Sequence, residues 1–343
     1  MAIKGLNGEL LVLVIRPVRE PDIDGLLRLA DLAGEGMTSL PQDREALQRN
    51  IQTALTSFSS AESNSSDYFL MVLEDTSRER VIGTAAVYAR TGTRQAFYAY
   101  REMSVTHYSH SLNREIRSSM LHLTNDYTDY SEMGTLFLDP EYRGNGRWLS
   151  RSRYMLLGLF PDRFAEHVIA ELRGWLDASG NSPFWQAIGS KFFNMSYSEA
   201  DRLCGVGSNQ FITELMPKHP IYTNLLPDEA VEVMGKPHQD TRRAMELLLE
   251  EGFEYENMID IFDGGPLVRA RVSRLHSVEA LTTLPLQIVH EVSSTPKLIA
   301  NTNLKDFRVL QGSAEVVGDH IRVGEAEAAQ LQLIDGDRIA LIE

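Results

Sequence analysis

The segment Glu132-Met-Gly-Thr-Leu-Phe-Leu-Asp-Pro-Glu-Tyr-Arg-Gly-Asn-Gly-Arg147, followed by Trp-Leu-Ser-Arg-Ser-Arg-Tyr-Met155, constrains the fold more than any other part of the chain. Its apolar stretch Thr135 to Leu138 predicts a strand that Asp139-Pro140 stops. A glycine-rich turn follows, and then a helix with basic first turns, expected from about Trp148 to Phe160. Gly144 and Gly146 lack Cβ atoms, so the backbone can turn tightly and bring N–H groups against a ligand, to which a helix start adds partial positive charge. The pattern is an anion cradle of a size that suits a pyrophosphate. It is not a G-x-x-x-x-G-K-[ST] loop, nor the G-x-G-x-x-G that opens a dinucleotide-binding unit.

Charge narrows the partners. Lys and Arg number 33 against 48 Asp and Glu, a net charge of −15, and no long basic block offsets it. Double-stranded nucleic acid and anionic membranes would repel such a chain, whereas a cationic substrate would be attracted. The single cysteine, Cys204, excludes an intramolecular disulfide and a CxxC zinc site, and reads as a small buried residue of a helix over Glu199 to Cys204. The nine histidines show no metal-ligand spacing, so no metal is expected. The apolar run Leu10 to Ile15 is too short to cross a bilayer, and a cytoplasmic location is expected.

The hydrophobic pattern predicts strand Leu11 to Val18, a helix capped by Asp22 and ended by Gly34-Glu-Gly36, a helix from Asp43 to about Phe58, and a hairpin of Tyr68 to Glu74 with Val81 to Arg90. Thr91 to Tyr130 is weakly periodic, with strands placed only near Ala96 to Val105. After the cradle come strand Val168 to Leu172 and a helix from Ser182-Pro183 to Gly189. Further helices are expected over Asn209 to Leu215, Asp228 to Met234 and Thr241 to Glu251, the last burying Leu247, Leu248 and Leu249, and then strand Asn257 to Phe262. Ser273 to Glu343 reads as short strands with one short helix near Ala326, a small β-barrel-like subdomain.

The cradle resembles the acyl-CoA-binding turn of the GCN5-related N-acyltransferases, written R/Q-x-x-G-x-G/A. Arg143 and Gly146 match, and Trp148 stands where the last small residue is expected. The order of elements matches that fold too. The expected class is therefore α+β: a GNAT-like mixed sheet flanked by helices, a possible second partial copy, and the small C-terminal barrel. Residues 1–195 are expected to form the acyl-CoA-binding domain, 196–272 a helical and half-GNAT-like region, and 273–343 the β-rich subdomain.

Longer phrases resemble the bacterial arginine N-succinyltransferase family: Gly36 to Pro41, Glu132 to Tyr142, Ala170 to Gly174, Ser182 to Gln186, Phe211 to Tyr222 and Ile259 to Gly265. They recur in the family's order over nearly the whole chain. The resemblance implies transfer of succinyl from succinyl-CoA, as co-substrate, to the α-amino group of arginine or ornithine in arginine catabolism. It also implies assembly, as a homo-oligomer or with a paralogous subunit. By resemblance, His238 in Met234-Gly-Lys-Pro-His-Gln239 is the proton-transfer residue and Leu136 contacts succinyl-CoA. The loop after Arg143 is two residues shorter than the family's. A non-catalytic partner subunit, or an N-acyltransferase with another amine or acyl-CoA, are the alternatives.

Amide formation from a thioester needs a neutral amine and support for the departing thiolate. A histidine before a helix start, with Asp240 or Thr241 as cap, is held neutral by the positive helix end. Main-chain N–H groups at Leu136 or Leu138 could stabilise the carbonyl oxygen, and Arg143, Gly144, Asn145 and Gly146 could hold the diphosphate. A guanidinium wants a carboxylate fork, for which Glu171 and Asp260 are candidates, although pairing with Arg173 is an equal alternative. Arg173, Lys218 and His219 are candidate partners for substrate carboxylates.

Overall fold

The computed structural model describes residues 3–4, 10–11, 13–34, 37–93, 96–205 and 210–343. They divide into two compact units, one drawn from Met1–Ala89, Met133–Glu166 and Arg271–Glu343, the other from Arg90–Glu132 and His167–Ala270. These segments alternate along the chain, so each unit draws on more than one of the stretches 1–195, 196–272 and 273–343. The expected positions Glu35, Gly36 and Asn209, and the side chain of Cys204, lie outside what is described.

In the first unit the strand ending at Leu138 lies beside Arg80–Tyr88, then Tyr68–Asp75, then Leu13–Pro17. The hairpin Tyr68–Asp75 with Arg80–Tyr88 is almost wholly buried, which explains its near-continuous apolar sequence. Helices Ile23–Ala33 and Arg44–Ser59 set Leu26, Leu29, Leu47 and Ile51 against it. Asp43 caps the second helix by accepting from the Ala46 amide. Asp22 stands at the N-cap of the first but makes no capping bond; its carboxylate instead takes the buried Arg16 guanidinium at 2.7 and 2.9 Å. Burying that arginine requires a fork, and the fork outranks the cap.

The C-terminal strands close on themselves. Val309–Val317, Pro296–Asn301, Arg338–Ile342, Thr282–Val289 and His320–Gly324 pair in that order, and His320–Gly324 returns to Val309–Val317. This is the small barrel expected from the sequence, filled by Leu286, Ile299, Leu310, Ile321 and Leu341 and plugged by helix Glu325–Leu331. Val309–Val317 runs as one continuous strand with Pro296–Asn301 paired along it.

In the second unit the order is Ile221–Tyr222, Arg114–Thr124, Ala99–Ser109, Glu254–Ile259, Pro266–Arg271 and His167–Glu171. The long hairpin Ala99–Ser109 with Arg114–Thr124 pairs over eleven residues, far beyond the strands placed near Ala96 to Val105. Trp185 fills the core, stacked on Phe193 and Phe262 with centroids 5.4 Å away. The helix expected from Ser182 to Gly189 breaks at Ile188 into Pro183–Ala187 and Gly189–Phe193. In helix Arg242–Glu251 only Leu248 of the three leucines is buried, while Leu249 is 45% exposed. Successive helical side chains diverge by about 100°, so three in a row cannot share a face.

Candidate active site

The end of strand His167–Glu171 and the turn Asp260 to Gly265 bring carboxyl groups together in the second unit. Glu171 and Asp260 are neighbours whose carboxyl groups are electrostatically coupled. Asp260 Oδ1 also accepts from the amides of Phe262 and Asp263, at 2.7 and 2.8 Å, which builds the turn. Asp263 Oδ2 and Oδ1 accept from the amides of Gly174 and Gly265 at 2.7 and 2.8 Å, and the Tyr197 hydroxyl approaches Oδ2 at 3.5 Å.

Burial pushes Glu171 up to about 7, with neighbouring Glu132 and Asp263 adding to the rise. Burial likewise raises Glu132 to about 7, Asp263 to about 8 with help from Asp260, and Asp260 well above the ordinary carboxyl range. Asp260 and Asp263 are buried, Glu132 is half-buried, and Glu171 at the strand end is crowded by protein but keeps an exposed surface. No arginine or lysine lies within ion-pair distance of this group among the described residues. The first unit treats its buried acids differently: Asp22, Asp67 and Asp139 have Arg16, Arg163 and Arg28 at 2.7, 2.7 and 2.6 Å. The acids of the second unit are therefore missing a cation.

Arg173 does not supply it. Its side chain makes no ion pair with Glu171 or Asp260, and its buried Nε has no hydrogen-bond partner among the described residues. Its carbonyl instead anchors His238, accepting from the His238 amide at 2.8 Å and from the Thr241 hydroxyl at 3.2 Å. Gly174 pairs with Pro237 as an isolated bridge. A Cβ on Gly174 would lie 2.6 Å from Asp263 Oδ1 and 2.7 Å from the Gly265 nitrogen, so only glycine permits this three-way contact. Glu171 and Arg173, Asp260, and His238, from three separate stretches of the sequence, are thus tied into one loop system. Lys218 and His219 are exposed.

His238 caps the short turn Gln239–Thr241, its Nδ1 accepting from the Asp240 amide at 3.3 Å. Thr241 is the N-cap of helix Arg242–Glu251, one of the two caps expected. In a neutral ring this bond leaves the proton on Nε2. Asp240 Oδ2 lies 3.4 Å from Nδ1, so a proton on that nitrogen would find an acceptor too.

The remaining expected positions, Leu136, Leu138, Arg143, Gly144, Asn145 and Gly146, fall in the first unit. Asn145 is the N-cap of helix Gly146–Leu159, whose opening amides lack intrahelical partners by construction. Asn145 folds inward, Nδ2 donating to the Tyr142 carbonyl at 2.8 Å and Oδ1 accepting from the Trp148 indole at 3.2 Å. Trp148 is thereby buried and does not fill the turn. Gly144 has φ of +102°, and a Cβ built there would meet nothing within 4 Å. Arg143 is exposed.

Within the strand, Thr135 has φ of +50°, a left-handed conformation that a β-branched residue avoids. The Tyr68 hydroxyl at 3.0 Å and the Ser39 carbonyl at 3.2 Å hold its side chain. Such a residue inside a strand has the backbone geometry that bulges use, and Leu136 follows it directly.

With that geometry described, known proteins place the chain. A family model for the arginine N-succinyltransferase beta subunit matches residues 13–277, and one for its C-terminal domain matches 282–343. The chain belongs to the arginine N-succinyltransferase family. Its sequence is 39% identical over 340 residues to the arginine N-succinyltransferases of Shigella flexneri serotype 5b (strain 8401) and of Escherichia coli O139:H28 (strain E24377A / ETEC), covering 96% of this chain and 97% of each relative. The solved arginine/ornithine succinyltransferase subunit AI of Pseudomonas aeruginosa superposes with a TM-score of 0.89 at 33% identity, covering 97% of this chain and 98% of that one. The enzyme class of this arginine N-succinyltransferase family member is that of an acyl-CoA-dependent N-acyltransferase.

Sequence reasoning missed Glu132, Thr135, Tyr197 and Asp263 as members of the site. The Asp-x-x-Asp-Gly-Gly spacing of 260–265 carried a signal for Asp263, because two aspartates before paired glycines build a turn from main-chain amides. Nothing in the sequence marked Tyr197. Among the described residues no group of three or more His, Cys, Asp or Glu is arranged to hold a metal, and no helix is long and apolar enough to cross a membrane.

Proposed function

We propose that this chain transfers the succinyl group of succinyl-CoA to the α-amino group of arginine, with ornithine as the lesser substrate, by direct attack and without a covalent enzyme intermediate. One observation carries the reading: a cluster of carboxyls held above their ordinary range, with no cation in ion-pair reach among the described residues, tied through Arg173 and Gly174 to His238. A guanidinium is planar and permanently charged, so it can displace the proton shared by Glu171 and Asp260 with two parallel N–H donations. Ornithine's compact ammonium would satisfy the pair less completely.

His238 serves as the proton-transfer residue in this reading. Its Nδ1 has a partner in either protonation state, the Asp240 amide or the Asp240 carboxylate, so Nε2 is free to present a lone pair to the ammonium or a proton to the departing thiolate. The turn Arg143 to Gly146 would take the diphosphate on orphan amides, with the Arg143 charge beside them. Leu136, placed after the left-handed Thr135, would offer its amide to the thioester oxygen, and Leu138 lies farther along the same strand. The test is release of CoA by the purified chain alone, with succinyl-CoA against arginine, ornithine and lysine. Binding without turnover would favour the silent partner subunit, and preference for another acyl-CoA would reassign the donor.

Assembly and location belong to the same reading. One face of the hairpin carries Met103, Val105, His107, Ile116, Ser118 and Met120, with Met103 42% and Ile116 54% exposed. The same face carries Arg101 and Arg114, while Glu102 and Glu115 lie on the opposite one, on a chain of net −15, so an acidic second copy of this chain is the proposed occupant of that face. Light scattering should give a dimer or larger, and Ile116→Glu should dissociate it; a monomeric wild type would refute the assembly. One cysteine in 343 residues supports a cytoplasmic location.

A further inference from the structure

The first unit contains a second feature with unmatched charge, of the opposite sign. Residues 16–19, helix Arg44–Ser59 and the barrel segment 305–308 line a half-open cavity of about 220 Å³. Its walls are apolar where Val18, Leu55, Phe58 and Phe307 meet, and Val18, Phe58 and Phe307 are buried. Four cationic side chains line it: Arg16, Arg19, Lys305 and Arg308.

Arg16 is neutralised by Asp22 and Glu74 at 2.7 and 2.6 Å. The other three have no ion-pair partner among the described residues. The single acid in the lining, Asp306, has its carboxylate near the Asn303 amide at 3.5 Å. Arg308 is half-buried and, among the described residues, donates from Nη1 to the Gln330 carbonyl at 3.1 Å. Its burial and the like charges of Arg19 and Arg16 disfavour its cationic form, and the acids Glu74 and Asp306 offset this only in part. In a chain with fifteen more acids than bases, three unpaired cations around one apolar-walled cavity are not an average surface.

We propose that this cavity binds a small organic carboxylate, its charged end on Arg308 and Arg19 with Lys305 at the rim, and its carbon skeleton against Phe58 and Phe307. Guanidinium groups pair with carboxylates through two parallel hydrogen bonds, and an anion here would relieve the repulsion around Arg308. Pockets for drug-sized ligands span roughly 300–1,000 Å³, so this one suits a molecule of a few carbons and is too small for a nucleotide-bearing thioester. The cavity shares no lining residue with the turn Arg143 to Gly146 or with the carboxyl cluster, and the inference does not depend on the acyl-transfer reading.

The experiment is isothermal titration calorimetry of the full chain with succinate as probe, and with inorganic phosphate and methylammonium in parallel. Saturable succinate binding with a Kd on the order of 1 mM is expected, with phosphate weaker and methylammonium silent. The double variant Arg19→Gln with Arg308→Gln should weaken succinate at least ~10-fold, as lost charge-assisted hydrogen bonds require. Should that variant fail to fold, Arg19→Gln with Lys305→Gln, both exposed positions, is expected to weaken binding in the same direction. Absence of saturable binding up to roughly 20 mM, twentyfold above the expected Kd, would overturn the proposal. So would binding unchanged by the substitutions, or phosphate binding tighter than succinate.

Discussion

Glu171 and Asp260 are neighbouring carboxyls, and the charge of Glu171 helps hold Asp260 well above the ordinary carboxyl range, so the pair is most stable with a proton between them. That proton occupies the place of a cation. Replacing it with a guanidinium converts one shared bond into several charge-assisted ones, which is the physical basis for choosing arginine.

Asp260→Asn and Glu171→Gln should each raise the KM for arginine by about 10- to 150-fold, the equivalent of about 1.5–3 kcal/mol for hydrogen bonds to a charged group. The KM for succinyl-CoA should be unaffected. Ornithine should lose less than arginine, because a point charge depends less on a two-pronged partner. Steady-state kinetics with both amines decides the matter; equal losses would remove the pair from guanidinium recognition.

The same groups set the pH dependence. In the folded chain Glu132 and Glu171 hold protons up to about pH 7 and Asp263 up to about pH 8, whereas the unfolded chain releases them near 4. The native state therefore binds more protons across that window, so stability falls as pH rises from about 4 toward 8 and levels off above it. Guanidinium competes with those protons, so the KM for arginine falls over the upper part of the window. Melting curves between about pH 5 and pH 8, with and without arginine, should diverge as pH rises. A free protein that gains stability across that range would contradict the assignment.

His238→Ala should lower kcat by roughly 10²- to 10⁴-fold, in the range of lost acid–base catalysis, with the melting temperature little changed. Asp240→Asn keeps the amide that bonds Nδ1 but removes the carboxylate 3.4 Å away, so it should lower kcat far less than His238→Ala does. Wild-type turnover by His238→Ala would exclude the histidine.

The parts legible in the sequence were those with local periodicity. The hairpin Tyr68–Asp75 with Arg80–Tyr88, the helices after Asp22 and Asp43, and the barrel strands announce themselves because burial imposes an apolar pattern on a short stretch. The hairpin Ala99–Ser109 with Arg114–Thr124 did not, because most of its outer half is solvated on both faces and no alternation is imposed. Within the site, Glu171, Arg173, Asp260 and His238 could be named singly. Their meeting depends on contacts spanning 89 residues between Gly174 and Asp263, which no local pattern encodes.

Thr135 tests whether backbone strain beside Leu136 is functional. Thr135→Val keeps the left-handed β-branched residue but takes the hydroxyl from Tyr68 and from the Ser39 carbonyl, so it should cost about 1–3 kcal/mol in urea unfolding. Thr135→Gly loses the same bonds but relieves strain of about 1–2 kcal/mol, so it should be the more stable of the two. Both should lower kcat more than the KM for either substrate if the bulge presents the Leu136 amide. Unchanged kcat in both would make the bulge a matter of packing alone.

Gly174 joins the carboxyl turn to the histidine loop, and its replacement separates their roles from the cradle. A Cβ there lies 2.6 Å from Asp263 Oδ1 and 2.7 Å from both the Asp263 carbonyl oxygen and the Gly265 nitrogen, closer than such atoms ever approach. The turn Asp260 to Gly265 must retreat, and the bond from the Gly174 amide to Asp263 must lengthen. Gly174→Ala should therefore cost about 1–3 kcal/mol in stability, the range of overpacking. It should raise the KM for arginine and lower kcat together, since Arg173, whose carbonyl holds His238, is the adjacent residue. Succinyl-CoA affinity should survive, because Arg143 to Gly146 belong to the other unit. Calorimetric titration with CoA on the same variant provides that control, and a parallel loss of CoA binding would show that the substitution unfolds more than the amine site.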